Sequence, residues 1–483
     1  MKKIFLSIFI AGLGIISVSA QKSIDQKVTD LMAKMTLEEK IGQLNQYNDD
    51  ITATGPVTKD ADKAGQVRAG KLGSILNAVG VKNTRNWQDQ AMQSRLKIPL
   101  LFGQDVIHGF RTTFPIPLGE TATWDMNLIE KSARIAATEA SAYGIHWTFA
   151  PMVDIGRDPR WGRVMEGAGE DTYLGSLVAK ARVKGFQGNG LGNLDAVMAC
   201  TKHFAAYGAG VGGRDYNSVD MSLRQLNETF LPPYKATVEA GVATFMNSFN
   251  DINGIPATGN KYIQRDLLKG SWGFKGFVVS DWGSIGEMIP HGFAKDNKDA
   301  ALKAIIAGSD MDMESRSYIN HLADLVKEGK VDIKLIDDAV RRILTKKYEL
   351  GLFDNPYKFC DEKREKEQTN NLEHRKFARE IGAKSIVLLK NQTQLLPLSK
   401  TTKKVAIIGP FAKATVDNHG FWSIAFPDDN QRIITQFDGI KAQLDKNSEL
   451  LYAKGCNVND KDTSMFAEAV ETAKKADVVI MTL

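Results

Sequence analysis

The chain has 483 residues, of which 43% are hydrophobic and 25% charged, and its formal net charge is +5. That balance excludes a disordered or collagen-like chain and a multi-span membrane protein, and the length accommodates two or three domains around a large buried core. With 62 Lys and Arg against 57 Asp and Glu, and no clustered basic run, there is no footprint for a nucleic-acid partner.

In chain order, the first element is a leader. Lys2 and Lys3 precede an apolar run from Ile4 to Val18, and Val18-Ser19-Ala20 offers small residues for cleavage before Gln21. The run is short for a membrane span, so residues 1–20 are read as an export signal, with a periplasmic or secreted protein and no membrane association after cleavage. Gln21 rather than Cys follows the cut, which argues against a lipid-modified terminus. Cys200, Cys360 and Cys456 are odd in number and widely spaced, so no disulfide framework is expected.

From residue 21 to 353, short apolar runs alternate with amphipathic helical stretches, the pattern of a parallel α/β fold. Each run ends in a polar or Gly-rich cluster: LGSILN, PLLFGQDVIHG, WTFAPMVDIGRDPRWGR, AVMACTKHF, ATFMNSFNDING, GFVVSDWGS and AGSDMDM. Charged groups gathered where strands end predict a TIM-like (β/α)8 barrel with its active site at the C-terminal ends of the strands. An open doubly wound sheet is disfavoured, because no GxGxxG or P-loop follows the first strand.

Residues 354–380 are almost entirely charged and polar and read as a solvated linker leading into a helix. Residues 381–483 read as a second domain, an α/β sandwich built from SIVLLKN, KKVAIIGPFA, ELLYAKGCNV, a helix from about Ser464 to Lys475, and ADVVIMTL. Ending on an apolar strand without a polar exit, this domain is expected to be incomplete; the competing reading is an edge strand that happens to be last.

The chemistry concentrates in GFKGFVVSDWGSIGEM. Phe277, Val278 and Val279 suit a strand buried on both faces, and Asp281 arrives as that strand ends. An acid there serves as nucleophile, base or metal ligand, or else merely caps the next helix. Lys202 and His203 close ACTKHF and Arg163 closes DPRWGR, so cations from other strand ends can keep a carboxylate ionised, while Asp105 supplies an acceptor suited to sugar hydroxyls. For each of these the competing reading is structural: ion pairs for Lys202 and Arg163, a satisfied core imidazole for His203. The seven His show no HxH or HExxH spacing, so neither a metal nor another cofactor is implied.

DPRWGRVMEGAGED, KHFAAYG, NGIPATGNKYIQRDLL and GFVVSDWG together resemble glycoside hydrolase family three, from about residue 25 onward. The resemblance implies a retaining, exo-acting β-glucosidase that removes terminal β-D-glucosyl residues from oligosaccharides or glucosides, with Asp281 as nucleophile. It implies that Asp105, Arg163, Lys202 and His203 hold the glycone and that Trp282 and Trp422 flank the next sugar; for either Trp, core packing is an equal account. KHFAAYG departs from the KHFPGHG-like segment of N-acetylglucosaminidase relatives, which disfavours that activity. The resemblance also places the acid/base Glu in the second domain after a strand like ADVVIMTL, where the chain ends. The expected acid/base is therefore missing, and the alternative is a short form that binds β-glucosides without cleaving them.

Overall fold

The computed structural model describes residues 22–50, 62–369, 371–424, 426 and 433–483; the expected leader lies outside them. Its first strand, β1 (Asn45–Asn48), is one that apolar patterning misses, because Asn45-Gln46-Tyr47-Asn48 is polar yet wholly buried. Their amide nitrogens are paired: Asn45 Nδ2 donates to the Ile41 carbonyl at 2.7 Å and Gln46 Nε2 to Ser74 Oγ at 2.7 Å. The apolar runs supply β2 (Ser74–Leu76), β3 (Leu101–Gln104), β4 (Trp147–Thr148), β5 (Cys200–Phe204), β6 (Thr244–Asn247), β7 (Phe277–Val279) and β8 (Asp312–Met313).

All neighbouring pairs of these strands are parallel. One sheet runs β8-β1-β2-β3-β4 and another β5-β6-β7. Single parallel bridges, Trp147 to Met198 and Val279 to Met311, join the two at both ends, so the pairing returns to its start as a ring of eight strands. Helices fill the crossovers, including Val81–Ala91, Met126–Ala142, Thr172–Gln187 and Asn297–Ala307, which is what parallel neighbours require. Asp125, Asp171 and Asp296 cap the last three by accepting backbone N–H groups of the first turn. Helix Met126–Ala142 turns Ala133, Ala136, Ala137 and Ala140 inward. Its contact with Thr172–Gln187 is so close that a Cβ on Gly185 would lie 2.4 Å from the Glu130 carbonyl oxygen. The ring interior is filled by Trp147, Phe149 and Phe277, all but sealed from solvent, and truncating any one to Ala costs about 3–5 kcal/mol.

Residues 354–380 keep mostly exposed charges and also attach to the ring. Helices Glu362–Gln368 and Leu372–Lys384 dock on the ring's outer helices. Tyr143 Oη and Thr369 Oγ1 are 2.6 Å apart, Arg364 Nη2 donates to the Leu194 carbonyl at 2.7 Å, and Phe377 and Ile381 are buried against Phe114, Leu128 and Ile135. The charges face water while a few residues make the attachment.

The second unit is a parallel sheet of β9 (Lys404–Ile408), β10 (Glu449–Ala453) and β11 (Val478–Met481) in the order β10-β9-β11, with helix Phe466–Lys474 before β11. One expectation changes here. SIVLLKN forms no strand, because none of these three strands pairs with it; Ile386, Val387, Leu388 and Leu389 are exposed. Within ADVVIMTL, β11 pairs with β9 and, among the described residues, with no other strand; Val479 and Met481 are exposed. Cys200, Cys360 and Cys456 are free thiols, as expected. Among the described residues no helix is long and apolar enough to cross a membrane.

Candidate active site

Seven of the eight ring strands send a side chain from their C-terminal ends into one cavity of about 180 Å³: Leu76, Asp105, Phe149, Lys202, Met246, Asp281 with Trp282, and Met313. Arg163, Tyr216, Phe249 and Glu287 complete the wall from the connecting loops, and Trp422 reaches in from the second unit. Six of the seven residues singled out from the sequence thus line one space, and His203 stands immediately behind it.

Asp281 follows β7 by two residues, in a turn pinned across the ring. Gly283 N–H donates to the Met313 carbonyl at 2.9 Å, and Met313 N–H donates to Ser280 Oγ at 2.8 Å. Gly283, at φ +68°, is the cap of helix Ser284–Glu287 and makes no side-chain cap bond, so Asp281 does not serve as one. Its Oδ1 accepts the Trp282 N–H at 2.7 Å, while Oδ2 is buried without a hydrogen-bond partner and lies 3.6 Å from His203 Nε2. Burial pushes the carboxyl up to about 6, against the pull of Arg163 and Lys202.

The cations are themselves held. Glu166 chelates Arg163 with Oε1 at 2.6 Å from Nε and Oε2 at 3.1 Å from Nη2, and Lys202 Nζ lies 3.2 Å from Asp105 Oδ1. Lys202 Nζ is also 5.2 Å from the centroid of the Trp422 ring. His203 is fully buried: Arg163 Nη2 donates to its Nε2 at 2.9 Å, and its Nδ1 donates to Asp154 Oδ2 at 2.9 Å. Burial and the neighbouring Arg163 and Lys202 hold it neutral. Asp154 also accepts from the His203 and Tyr207 backbone N–H groups and from Tyr234 Oη at 2.6 Å.

Sequence reasoning missed Asp154, Glu166, Tyr216, Tyr234 and Glu287. Glu166 follows Arg163 by one helical turn and Asp154 ends the APMVD run, so both were within reach of the same strand-end argument. Glu287 lies beyond a strand end, on the short helix that follows Asp281. It is half-buried, its Oε2 has no hydrogen-bond partner, and burial followed by the charge of Asp281 raises it to about 7. Among the described residues no group of three His, Cys, Asp or Glu is arranged to hold a metal ion.

A buried carboxylate at a strand end, charged hydrogen-bonding groups around it and indole faces at the rim are the furnishings of enzymes that act on glycosides. Family models resolve which. The Glycosyl hydrolase family 3 N terminal domain matches residues 36–346 and the Glycosyl hydrolase family 3 C-terminal domain matches residues 386–483. The chain belongs to glycoside hydrolase family 3. It is 42% identical over 480 residues to a periplasmic beta-glucosidase of Salmonella typhimurium, covering 94% of this chain and 62% of that protein. It is 33% identical to a beta-xylosidase of Formosa agariphila, over 96% of this chain and 61% of that one. The crystal structure of a Listeria innocua beta-glucosidase in complex with isofagomine superposes with a TM-score of 0.88 at 38% identity, over 95% of this chain and 63% of that chain. The chain thus spans less than two thirds of the length of these relatives.

Proposed function

We propose that this chain carries the glycone site of a retaining, exo-acting β-glucosidase, with the strand ring serving as its (β/α)8 barrel. The observation that carries the reading is Asp281: a carboxylate with one unpartnered buried oxygen, facing a cavity lined by Arg163, Lys202 and Asp105. That cavity, about 180 Å³, is small beside the roughly 300–1,000 Å³ of drug-sized pockets, which suits one terminal sugar rather than a polysaccharide strand. Asp105, Arg163 and Lys202 would bind its hydroxyls, and Trp282 and Trp422 would pack on the sugar beyond it. His203 would act from behind the wall, orienting Arg163. A β-glucoside is favoured over a β-xyloside by the 42% identity to a beta-glucosidase against 33% to a beta-xylosidase. The leader-like residues 1–20 and a relative named as periplasmic support an exported protein.

In the retaining mechanism Asp281 attacks the anomeric carbon, and an acid protonates the departing glycosidic oxygen. The same group, now a base, then takes a proton from the water that releases the sugar. The acid was expected beyond Leu483, but Glu287 already lies in the cavity and, raised to about 7, holds a proton at mildly acidic pH. We assign it the role. Asp281→Asn should abolish turnover with the circular dichroism spectrum unchanged. Glu287→Gln should slow cellobiose hydrolysis by about 10²–10⁴-fold while sparing glycosylation by a dinitrophenyl β-glucoside, whose leaving group needs no proton. Wild-type cellobiose turnover in Glu287→Gln would move the acid elsewhere. Binding of glucosides by the wild-type chain without turnover would favour the non-cleaving alternative.

A further inference from the structure

The loop after β3 carries Asp105 and, three residues later, His108, which lines neither the cavity nor its cation network. His108 is almost completely buried, at 3% exposure, and both its ring nitrogens face backbone carbonyls. Nδ1 is 2.9 Å from the Phe114 oxygen, within a loop closed by the Phe114 N–H bonding back to the His108 carbonyl at 2.9 Å. Nε2 is 2.7 Å from the oxygen of Phe421, 313 positions along the chain and immediately before Trp422.

That carbonyl is a consequential one to hold. The Phe421 C=O and the Trp422 N–H belong to one rigid peptide plane, so holding the oxygen fixes the orientation of the plane from which Trp422 departs. Trp422 has φ +63°, in the left-handed region that a non-glycine residue keeps only when its surroundings enforce it. The Phe421 side chain is 64% exposed and gives little apolar anchorage. Gly420, at φ +72°, passes close enough that a Cβ there would lie 3.5 Å from His108 Cε1. The approach of this segment to the ring is therefore organised around the imidazole.

We propose that His108, as its Nε2–H tautomer, is a positioning residue: by donating to the Phe421 carbonyl it holds the peptide plane from which the Trp422 indole is presented to the cavity. The inference rests on the reading of the cavity as a β-glucoside site, because it assigns the consequence to binding of the sugar that Trp422 contacts. His108→Phe keeps a flat ring and removes the donor; His108→Gln keeps an N–H able to reach the same oxygen.

Two measurements on the intact protein test this. Hydrogen exchange of a peptide containing residues 420–424 should quicken in His108→Phe and return to the wild-type rate in His108→Gln. With cellobiose, KM should rise about three- to tenfold in His108→Phe with kcat held, the range that one lost neutral hydrogen bond gives, and His108→Gln should restore it. An unchanged KM in His108→Phe overturns the proposal, as does equal impairment in both variants, which would mean that the imidazole only fills space. A wild-type protein that turns over no β-glucoside would fail the functional reading instead, and the exchange rates alone would then decide whether His108 holds the segment.

Discussion

Arg163 Nη2 lies 2.9 Å from His203 Nε2, and a guanidinium has only donors, so this contact fixes the imidazole's lone pair on Nε2 and its proton on Nδ1, toward Asp154. The chain Asp154, His203, Arg163 and Glu166 is thus an ordered support in which Arg163 lines the cavity. Protonating His203 would place an N–H against an N–H. Its ¹⁵N imidazole signals should therefore stay those of the neutral Nδ1–H tautomer from pH 5 to 8; a titration near the ordinary histidine value of about 6.5 would contradict the arrangement.

The cations act on both affinity and charge. Arg163→Ala or Lys202→Ala should lower kcat/KM by about 10- to 100-fold, since hydrogen bonds to charged groups contribute about 1.5–3 kcal/mol. A loss confined to thermal stability would favour the structural reading of the pair. Because Arg163 and Lys202 both pull the Asp281 carboxyl down, removing either lets burial raise it further. The acid limb of the pH profile should then move to higher pH, and movement the other way would be inconsistent with this electrostatic account.

In the proposed mechanism Asp281 and Glu287 define the operating window. Asp281 must be ionised to attack and Glu287 protonated to donate; they stand at about 6 and about 7, so kcat/KM on cellobiose should be bell-shaped with limbs near those values. The two constants belong to the coupled pair, because the charge of Asp281 contributes to raising Glu287. On a dinitrophenyl glucoside, which needs no acid, the alkaline limb should already be flat in the wild type, and Glu287→Gln should leave only the limb set by Asp281. An alkaline limb that survives this change would belong to another group.

These predictions trace what the sequence makes legible. Asp281, Arg163 and Lys202 were readable because each ends an apolar run, and in a parallel α/β fold the end of such a run is where strands deliver side chains. Strand β1 was not, because NQYN is polar and its amide N–H groups find distant partners such as Ser74 that no local pattern announces. Glu287 was hidden for a different reason: a strand-end argument stops at the strand, and this residue returns to the cavity on the following helix. Nor does sequence spacing reveal that Nε2 of His203 is already taken by Arg163, since the bond spans 40 positions. Around residues 354–384 many solvated charges obscure the few residues, His374, Phe377 and Ile381, that attach the segment.

That attachment gives the last prediction. Glu139 is fully buried on helix Met126–Ala142, and its Oε2 accepts the backbone N–H groups of Arg111 and Thr112 at 2.9 and 2.8 Å. Its Oε1 accepts Thr112 Oγ1 at 2.7 Å and lies 2.7 Å from Nδ1 of His374, on helix Leu372–Lys384. One carboxylate therefore ties the loop after β3 to the helix that leads into the second unit. His374→Leu removes one donor to a charged group and should destabilise the protein by about 1.5–3 kcal/mol in urea denaturation. Glu139→Leu should cost more, because it also leaves the Arg111 and Thr112 N–H groups buried without their acceptor. The double variant should lose less than the sum of the two, since the shared bond can be lost only once. Strict additivity would mean that the helix docks through Phe377 and Ile381 alone, with the charged contact contributing nothing to holding the two units together.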